Sequence, residues 1–243
     1  MNKEQLDKYH TFAKTKLGFD FKNIDLLVTA FTHRSYVNEH KKTTPAHNER
    51  LEFLGDAVLE LVSSVFLYQN YHEPEGIMTS WRAALVNTEA NAAAGEQLGY
   101  EPLVRLSKGE KNGSARAKHV ILADCYEALI GAIYLDQGYE AASAFIHKNS
   151  LAHSDEMIAS GAWRDPKSHL QKLAQHLDGR VPIYKTLVEE GPDHDKSFTI
   201  GVYIHGQLKA SGVGRSKQAA EVAAAKAAIK SYRATHPEAD KLV

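Results

Sequence analysis

Apolar residues recur every three to four positions through most of the first 150 residues, the spacing that lines one side of an α-helix. The pattern predicts helices over residues 3–16, 24–32, 48–71, 77–98 and 121–137, with few alternating runs between them. After residue 164 it changes. Asp165-Pro166 supplies a helix start, with Asp as N-cap and Pro at the first helical position, and a helix is expected over 166–177. Three runs, at 183–189, 196–204 and 207–213, then read as strands, the second with the clear two-residue alternation of a half-buried strand. His205-Gly206 makes a turn into the third, and an Ala-rich helix closes the pattern over 216–235. The fold class is therefore multidomain, α followed by α+β: an all-α domain over 1–150, a linker over 151–164, an αβββα domain over 165–235 and a tail over 236–243.

The helix over 48–71 carries an acidic stripe. At about 100° per residue, Glu49, Glu52 and Asp56 fall within a sector of about 60°, while Leu51, Leu54, Val58, Leu61, Val62 and Val65 are expected on the opposite, core-facing side. The helix over 121–137 repeats the design. Asp124 and Glu127 lie one turn apart and share their side with Ala128 and Gly131, small residues that would let another backbone come close. If the two stripes face each other, four or more carboxylates converge, and like-charge repulsion forbids that unless they share protons or bind cations. Oxygen ligands in a partly open site suit Mg²⁺ or Mn²⁺ rather than zinc. Charged stripes are ordinarily solvated faces, and two details argue otherwise. Phe53 lies beside the acidic sector, where its ring is exposed unless a partner covers it, and Asp124 and Glu127 interrupt an otherwise apolar run over 120–135.

Composition narrows the class further. Hydrophobic residues make up 43% and charged residues 24%, which excludes global disorder. No run approaches the roughly 18–20 uncharged apolar residues that span a bilayer, residues 61–72 being the longest candidate, and the first five residues lack the apolar region of a signal peptide. A soluble, cytoplasmic protein without membrane contact is expected. The single cysteine, Cys125, excludes an intramolecular disulfide and a multi-cysteine zinc site, and it reads as a small buried filler. His33, His47, His119 and His194 form no metal-ligand spacing, so hydrogen-bonding or surface roles are expected for them. The formal charge is −1, which as one number argues against a nucleic-acid binder. Division at residue 160 reverses that reading. Residues 1–160 hold 16 basic and 21 acidic residues, a balance of −5, and residues 161–243 hold 13 basic and 9 acidic, a balance of +4.

The string Asn48-Glu-Arg-Leu-Glu-Phe-Leu-Gly-Asp56 resembles the signature of bacterial ribonuclease III. The resemblance continues in Thr32-His-Arg-Ser35, Arg82-Ala-Ala-Leu-Val-Asn87 and Leu122-Ala-Asp-Cys-Tyr-Glu-Ala-Leu-Ile-Gly131, and with the C-terminal motifs it covers nearly the whole chain. It implies a homodimeric endonuclease for double-stranded RNA whose metal-binding catalytic cluster is Glu52, Asp56, Asp124 and Glu127. Mg²⁺ is the implied cofactor, with Mn²⁺ as a substitute. A metal-activated water is then the attacker, with Glu52, Asp124 and Glu127 chiefly as ligands and Asp56 as a ligand or an orienter of water or leaving group. In the same pattern Glu49 and Glu75 are auxiliary acids, and Phe53 packs into the other subunit. Staggered cuts leaving 5′-phosphate and 3′-hydroxyl ends are implied, in ribosomal-RNA precursors and some mRNA and tRNA precursors.

Residues 166–234 resemble a double-stranded-RNA-binding domain, through Asp165-Pro-Lys-Ser-His-Leu-Gln171, Gly191-Pro-Asp-His-Asp-Lys-Ser-Phe198 and the stretch from Gly212 through Ser216-Lys217 to Ala225. Such a module reads A-form shape across successive minor grooves. The resemblance implies minor-groove contacts from Gln171 and His194, and Lys217 at a helix start where backbone N–H groups favour a phosphate. Two departures stand out. Lys217-Gln218 replaces the frequent Lys-Lys pair, and Gln171-Lys172 replaces Gln-Glu. Ala220, Ala223, Ala224 and Ala227 are expected to pack on the sheet, and for Lys108 and Lys111 both contact with RNA and a plain solvent-facing role stay open, the second favoured. A binding-only or ribosome-assembly protein on the same scaffold is the alternative reading. It has no reason to keep all four carboxylates, and a small-nucleotide phosphohydrolase leaves the second domain unexplained.

Overall fold

The computed structural model, which describes residues 1–41, 44, 46–161, 163–192 and 196–236, divides into a unit ending at Trp163 and a unit beginning at Arg164. The first is helical: α1 (Lys3–Phe12), α2 (Ile24–Ala30), α3 (Arg34–Glu39), α4 (Glu49–Asn70), α5 (Glu75–Leu85), α6 (Thr88–Leu98), α7 (Lys108–Lys111), α8 (Ala115–Gln137), α9 (Tyr139–Asn149) and α10 (Ser154–Ser160). Helix α8 is its axis. Tyr126, Leu129, Ile130 and Ile133 are fully buried, which is how a helix apolar on nearly every side behaves when neighbours surround it. It starts six residues before the expected position because Ser114 caps it, accepting from Ala117 N at 3.2 Å. Near its other end the Asp136 carboxylate accepts from the backbone N–H groups of Lys22 and Asn23 at 2.8 and 2.7 Å, tying down the entry to α2.

Helix α4 lies along α8, with α6 and α9 also packed on α8. The contact is close because both helices offer glycine. A Cβ at Gly55 would stand 1.8 Å from the Glu127 carbonyl oxygen, and one at Gly131 would stand 2.2 Å from that of Leu51. Leu51, Val58, Leu59 and Val62 bury beside this contact. Leu61 and Val65, expected on the core side, instead point outward at 53% and 37% exposure. The stripe covered by α8 is centred on Gly55, so the apolar positions turned away from it stay exposed.

Two further expectations are corrected. The single helix over 77–98 is two, because Asn87 takes an extended conformation and caps α6, accepting from Ala90 N at 2.8 Å. Within the stretch over 151–164, expected to be a linker, residues 151–161 and 163 belong to the first unit. Leu151 is buried, Met157, Ile158 and Trp163 pack against the helical core, and the Trp163 ring meets Trp81 edge-on at 5.9 Å. Four scattered apolar residues suffice to dock this segment without giving it a readable period. Helices α3, α7 and α9 also escaped the periodicity, the first two being too short to display one.

In the second unit, α11 (Pro166–Asp178) is followed by β1 (Ile183–Glu190), β2 (Ser197–Ile204), β3 (Gln207–Gly214) and α12 (Lys217–Thr235). The strands form an antiparallel sheet in the order β1-β2-β3. His205 and Gly206 both have positive φ, 53° and 73°, as a two-residue hairpin turn requires. Leu170 and Leu173 of α11 and Ile229 and Tyr232 of α12 close a core over Val202 and Ile204. Among the alanines expected on the sheet, Ala220 and Ala224 are fully buried, Ala223 is half-buried and Ala227 is exposed, while Ala225 and Ala228 are buried instead. Among the described residues no helix is long and apolar enough to cross a membrane.

Candidate active site

The glycine contact turns the two acidic stripes toward each other, since the residue whose carbonyl touches Gly55 is Glu127 itself. Glu52, Asp124 and Glu127 are half-buried, while Glu49 and Asp56 are exposed at the rim. Burial lifts the Glu52 carboxyl to about 7, with Asp124, Glu49 and Asp56 adding repulsion. Burial lifts Glu127 to about 7 as well, reinforced by Asp56 and Glu52 and opposed by a hydrogen bond from Asn91. Asp124 is raised by burial and by Glu49. Five carboxylates from two helices therefore share one field. Among the described residues, no three His, Cys, Asp or Glu side chains converge tightly enough to form a coordination shell. The fit to a divalent cation thus rests on donor chemistry and crowded negative charge: an oxygen-only, partly buried set whose ionised form is costly without a counter-charge.

The surroundings hold this set in place. Thr32 is buried, its carbonyl accepts from Asn48 N at 2.9 Å, and its hydroxyl accepts from the Arg105 guanidinium at 3.2 Å, so the Thr32–Ser35 motif anchors the start of α4. His33 caps α3, with its Nδ1 2.8 Å from Ser35 Oγ, and burial holds its pKa below the usual imidazole value. Glu49 pairs with Arg34 at 3.1 Å and approaches His47 at 3.8 Å. His119 sits 3.7 Å from Glu96. Cys125 is fully buried and its Sγ receives a contact from Asn48 Nδ2 at 3.7 Å, a packing role. Glu75 opens α5, exposed, and accepts from Thr79 Oγ1 at 3.2 Å; it is not among the charges that shift Glu52, Asp124 or Glu127.

In the second unit Gln171 and Lys172 are exposed on α11. Ser216 caps α12, accepting from Ala219 N at 3.1 Å, and Lys217 follows it in the first turn, where backbone N–H groups point outward. The Lys217 ammonium lies 3.8 Å from Glu189 and over the Phe198 ring at 5.6 Å, while Glu189 also pairs with Lys196 at 3.2 Å. Pairs this exposed hold weakly, so a phosphate competes readily for Lys217. His194 lies outside the described residues. Lys108 and Lys111 are exposed, which is compatible with either role.

Comparison with known proteins decides the lineage. The family pattern described as Ribonuclease-III-like matches residues 23–154, and the double-stranded RNA binding motif matches residues 166–232. A curated "Ribonuclease 3" of Geobacillus kaustophilus is 45% identical over 222 residues, covering 91% of this chain and 90% of its own length. The chain belongs to the ribonuclease III family. A second "Ribonuclease 3", from Latilactobacillus sakei, is 42% identical over 226 residues, covering 91% of this chain and 96% of its own. A solved nuclease domain of ribonuclease III from Campylobacter jejuni, whose description concerns a region involved in dimer formation, superposes with a TM-score of 0.51 at 37% identity, covering 61% of this chain and 98% of that one. Residues 23–154, which the Ribonuclease-III-like pattern matches, include both α4 and α8. Asn91, which touches Glu127, was missed by the sequence reading. Its only signal was a polar side chain among the small buried residues Ala92, Ala94 and Gly95 of α6.

The raised carboxyls carry a pH signature. Glu52 and Glu127 hold their protons to about 7 when folded, whereas an unfolded Glu ionises near about 4.3. The folded chain therefore binds more protons, and this contribution to stability is full below the unfolded value and lost as pH climbs through the folded one. In chelator, Glu52→Gln removes that penalty. Its melting temperature should exceed the parent's at about pH 8 and converge with it at about pH 5. Differential scanning calorimetry checks this, and a gap that does not change with pH counts against the crowded cluster.

Proposed function

We propose that the protein is a Mg²⁺-dependent endoribonuclease that hydrolyses both strands of duplex RNA as a homodimer in the cytoplasm. The observation that carries this reading is the glycine-tight packing of α4 on α8, which sets Glu52 and Asp56 against Asp124 and Glu127. Glu52, Asp124 and Glu127 would hold the cation, with Asp56 at the open rim as a further ligand or an orienter of water or leaving group. A divalent cation held there would activate water for attack and would offset charge on the phosphoryl oxygens and the departing alkoxide. The chain's part is to keep these oxygens aimed and partly dry. Mn²⁺ is expected to substitute, since the donors are all oxygen.

The exposed strip of Phe53, Leu61, Val65 and Tyr68 on α4, with Phe53 at 81% exposure, supports pairing with a second copy. Two such sites on one duplex would cut one strand each, leaving staggered 5′-phosphate and 3′-hydroxyl ends. Gln171, Lys217 and His194 are proposed to hold the duplex, and Glu49 and Glu75 to act as auxiliary acids. Ribosomal-RNA precursors, with some mRNA and tRNA precursors, are the proposed substrates. The test is digestion of a labelled RNA duplex beside its separated strands. The duplex should be cut only with a divalent cation present and the single strands should survive; equal cutting of both would overturn the substrate assignment.

A further inference from the structure

Asn91 sits 1% exposed on α6, and its amide nitrogen makes two contacts, to Glu127 Oε1 at 2.8 Å and to the Val86 carbonyl at 3.2 Å. The Val86 carbonyl can only accept, and the ionised Glu127 carboxylate also only accepts, so the two N–H groups point at them and the reversed amide would set oxygen against oxygen. The orientation leaves Asn91 Oδ1 buried with no partner. An unpaired buried acceptor is costly, and an apolar side chain would avoid that cost. What the amide gains in return is a hydrogen bond to a carboxylate, among the stronger kinds. The geometry is that of an anchor. Val86 O lies just past α5, at the break before α6, and fixes the amide to backbone. The amide in turn holds one oxygen of Glu127, Oε1, and leaves Oε2 outside that hydrogen bond.

We infer that Asn91 is a positioning residue for the metal site: by engaging Glu127 Oε1 it locks the carboxylate in the rotamer that presents its other oxygen to the cation. This rests on the proposed metal-dependent reading, in which Glu127 is a ligand. Removing a group that orients a ligand typically costs about 10–100-fold in metal affinity. Leu abolishes the donor and keeps the branching at Cγ, with methyl groups bulkier than the amide, so the stability control below is read beside it.

The experiment is a calorimetric titration of the full-length protein with Mn²⁺ alone, without RNA, comparing the parent, Asn91→Leu and Leu98→Ala. Leu98 is buried on the same helix and seven residues further along, so its variant loses stability by a cavity without touching Glu127. Asn91→Leu should weaken Mn²⁺ binding by about 10–100-fold, while Leu98→Ala keeps parental affinity despite a lower melting temperature. With saturating Mn²⁺, cleavage by Asn91→Leu should return toward the parental rate and duplex affinity should be unchanged. Parental Mn²⁺ affinity in Asn91→Leu, or an equal loss in Leu98→Ala, overturns the inference and leaves the metal reading standing. A parent protein that binds no Mn²⁺ overturns both.

Discussion

Glu127→Gln should cut a long RNA duplex at background rate while binding it as the parent does. The substitution keeps shape and keeps an oxygen for the Asn91 amide to meet, but it removes a charged oxygen from the set that would hold the cation. Losing a group that merely supports a ligand costs about 10–100-fold, so losing the ligand itself should cost about 10³-fold or more. Binding is spared because the duplex-gripping side chains proposed on α11 and α12 belong to another unit, and one fewer negative charge cannot hinder a polyanion. Time courses in Mg²⁺ beside a mobility-shift titration separate the two effects. A variant that cuts at near-parental rate would remove Glu127 from the chemistry, and one that neither cuts nor binds would point to a folding defect.

Gly55→Val should prevent the first unit from reaching its native packing. Even the single carbon of Ala at this position would stand 1.8 Å from the Glu127 carbonyl oxygen and 2.8 Å from Gly131 N, both backbone atoms that cannot swing aside. Relief requires α4 and α8 to separate, and that unpacks Leu51, Val58 and Val62 from the axis of the core. Ordinary overpacking costs about 1–3 kcal/mol, occasionally more, and a backbone clash between two central helices belongs at the upper end. Better helix propensity returns only about 1 kcal/mol. Gly55→Ala should therefore fold with a clearly lowered melting temperature, and Gly55→Val should lose the cooperative transition. Gly76, on α5, has open space around its Cβ position, and Gly76→Ala should melt at or slightly above the parent. Thermal unfolding followed by circular dichroism distinguishes them. Parental stability in Gly55→Ala would mean that the helices lie further apart, and the carboxylates with them.

The parts of this architecture that could be read in advance are those set by local rules. Asp165-Pro166 and Ser216 announce helix starts through capping chemistry, and all three strands end within one residue of the alternation that predicts them. The acidic stripes were visible because i, i+3 and i+4 spacing survives any tertiary context, and Ala128 and Gly131 foretold a close neighbour. What stayed hidden depends on contacts distant in sequence. Leu61 and Val65 look like core on a helical wheel, and only the position of α8 shows that the buried side is elsewhere. Asn87 looks like the interior of one long helix until its side chain caps the next. Leu151 and Trp163 sit in a stretch too polar to show a period, yet each finds a prepared apolar neighbour. Glu189 reads as a strand residue and gives no hint that it would hold Lys196 and Lys217. Asn91 belongs to the same class, since its meaning lies in Glu127, thirty-six positions away.

The central claim, hydrolysis of duplex RNA at the α4–α8 carboxylates, is tested most directly by the ends it leaves. The purified full-length protein is incubated with a long labelled RNA duplex in Mg²⁺ and in chelator, and the product termini are determined. The account predicts no cutting in chelator and, in Mg²⁺, staggered breaks carrying 5′-phosphate and 3′-hydroxyl groups, the ends left when water attacks phosphorus and the 3′-oxygen departs. Cutting that persists in chelator, or products ending in 2′,3′-cyclic phosphates from attack by the RNA's own 2′-hydroxyl, would contradict it.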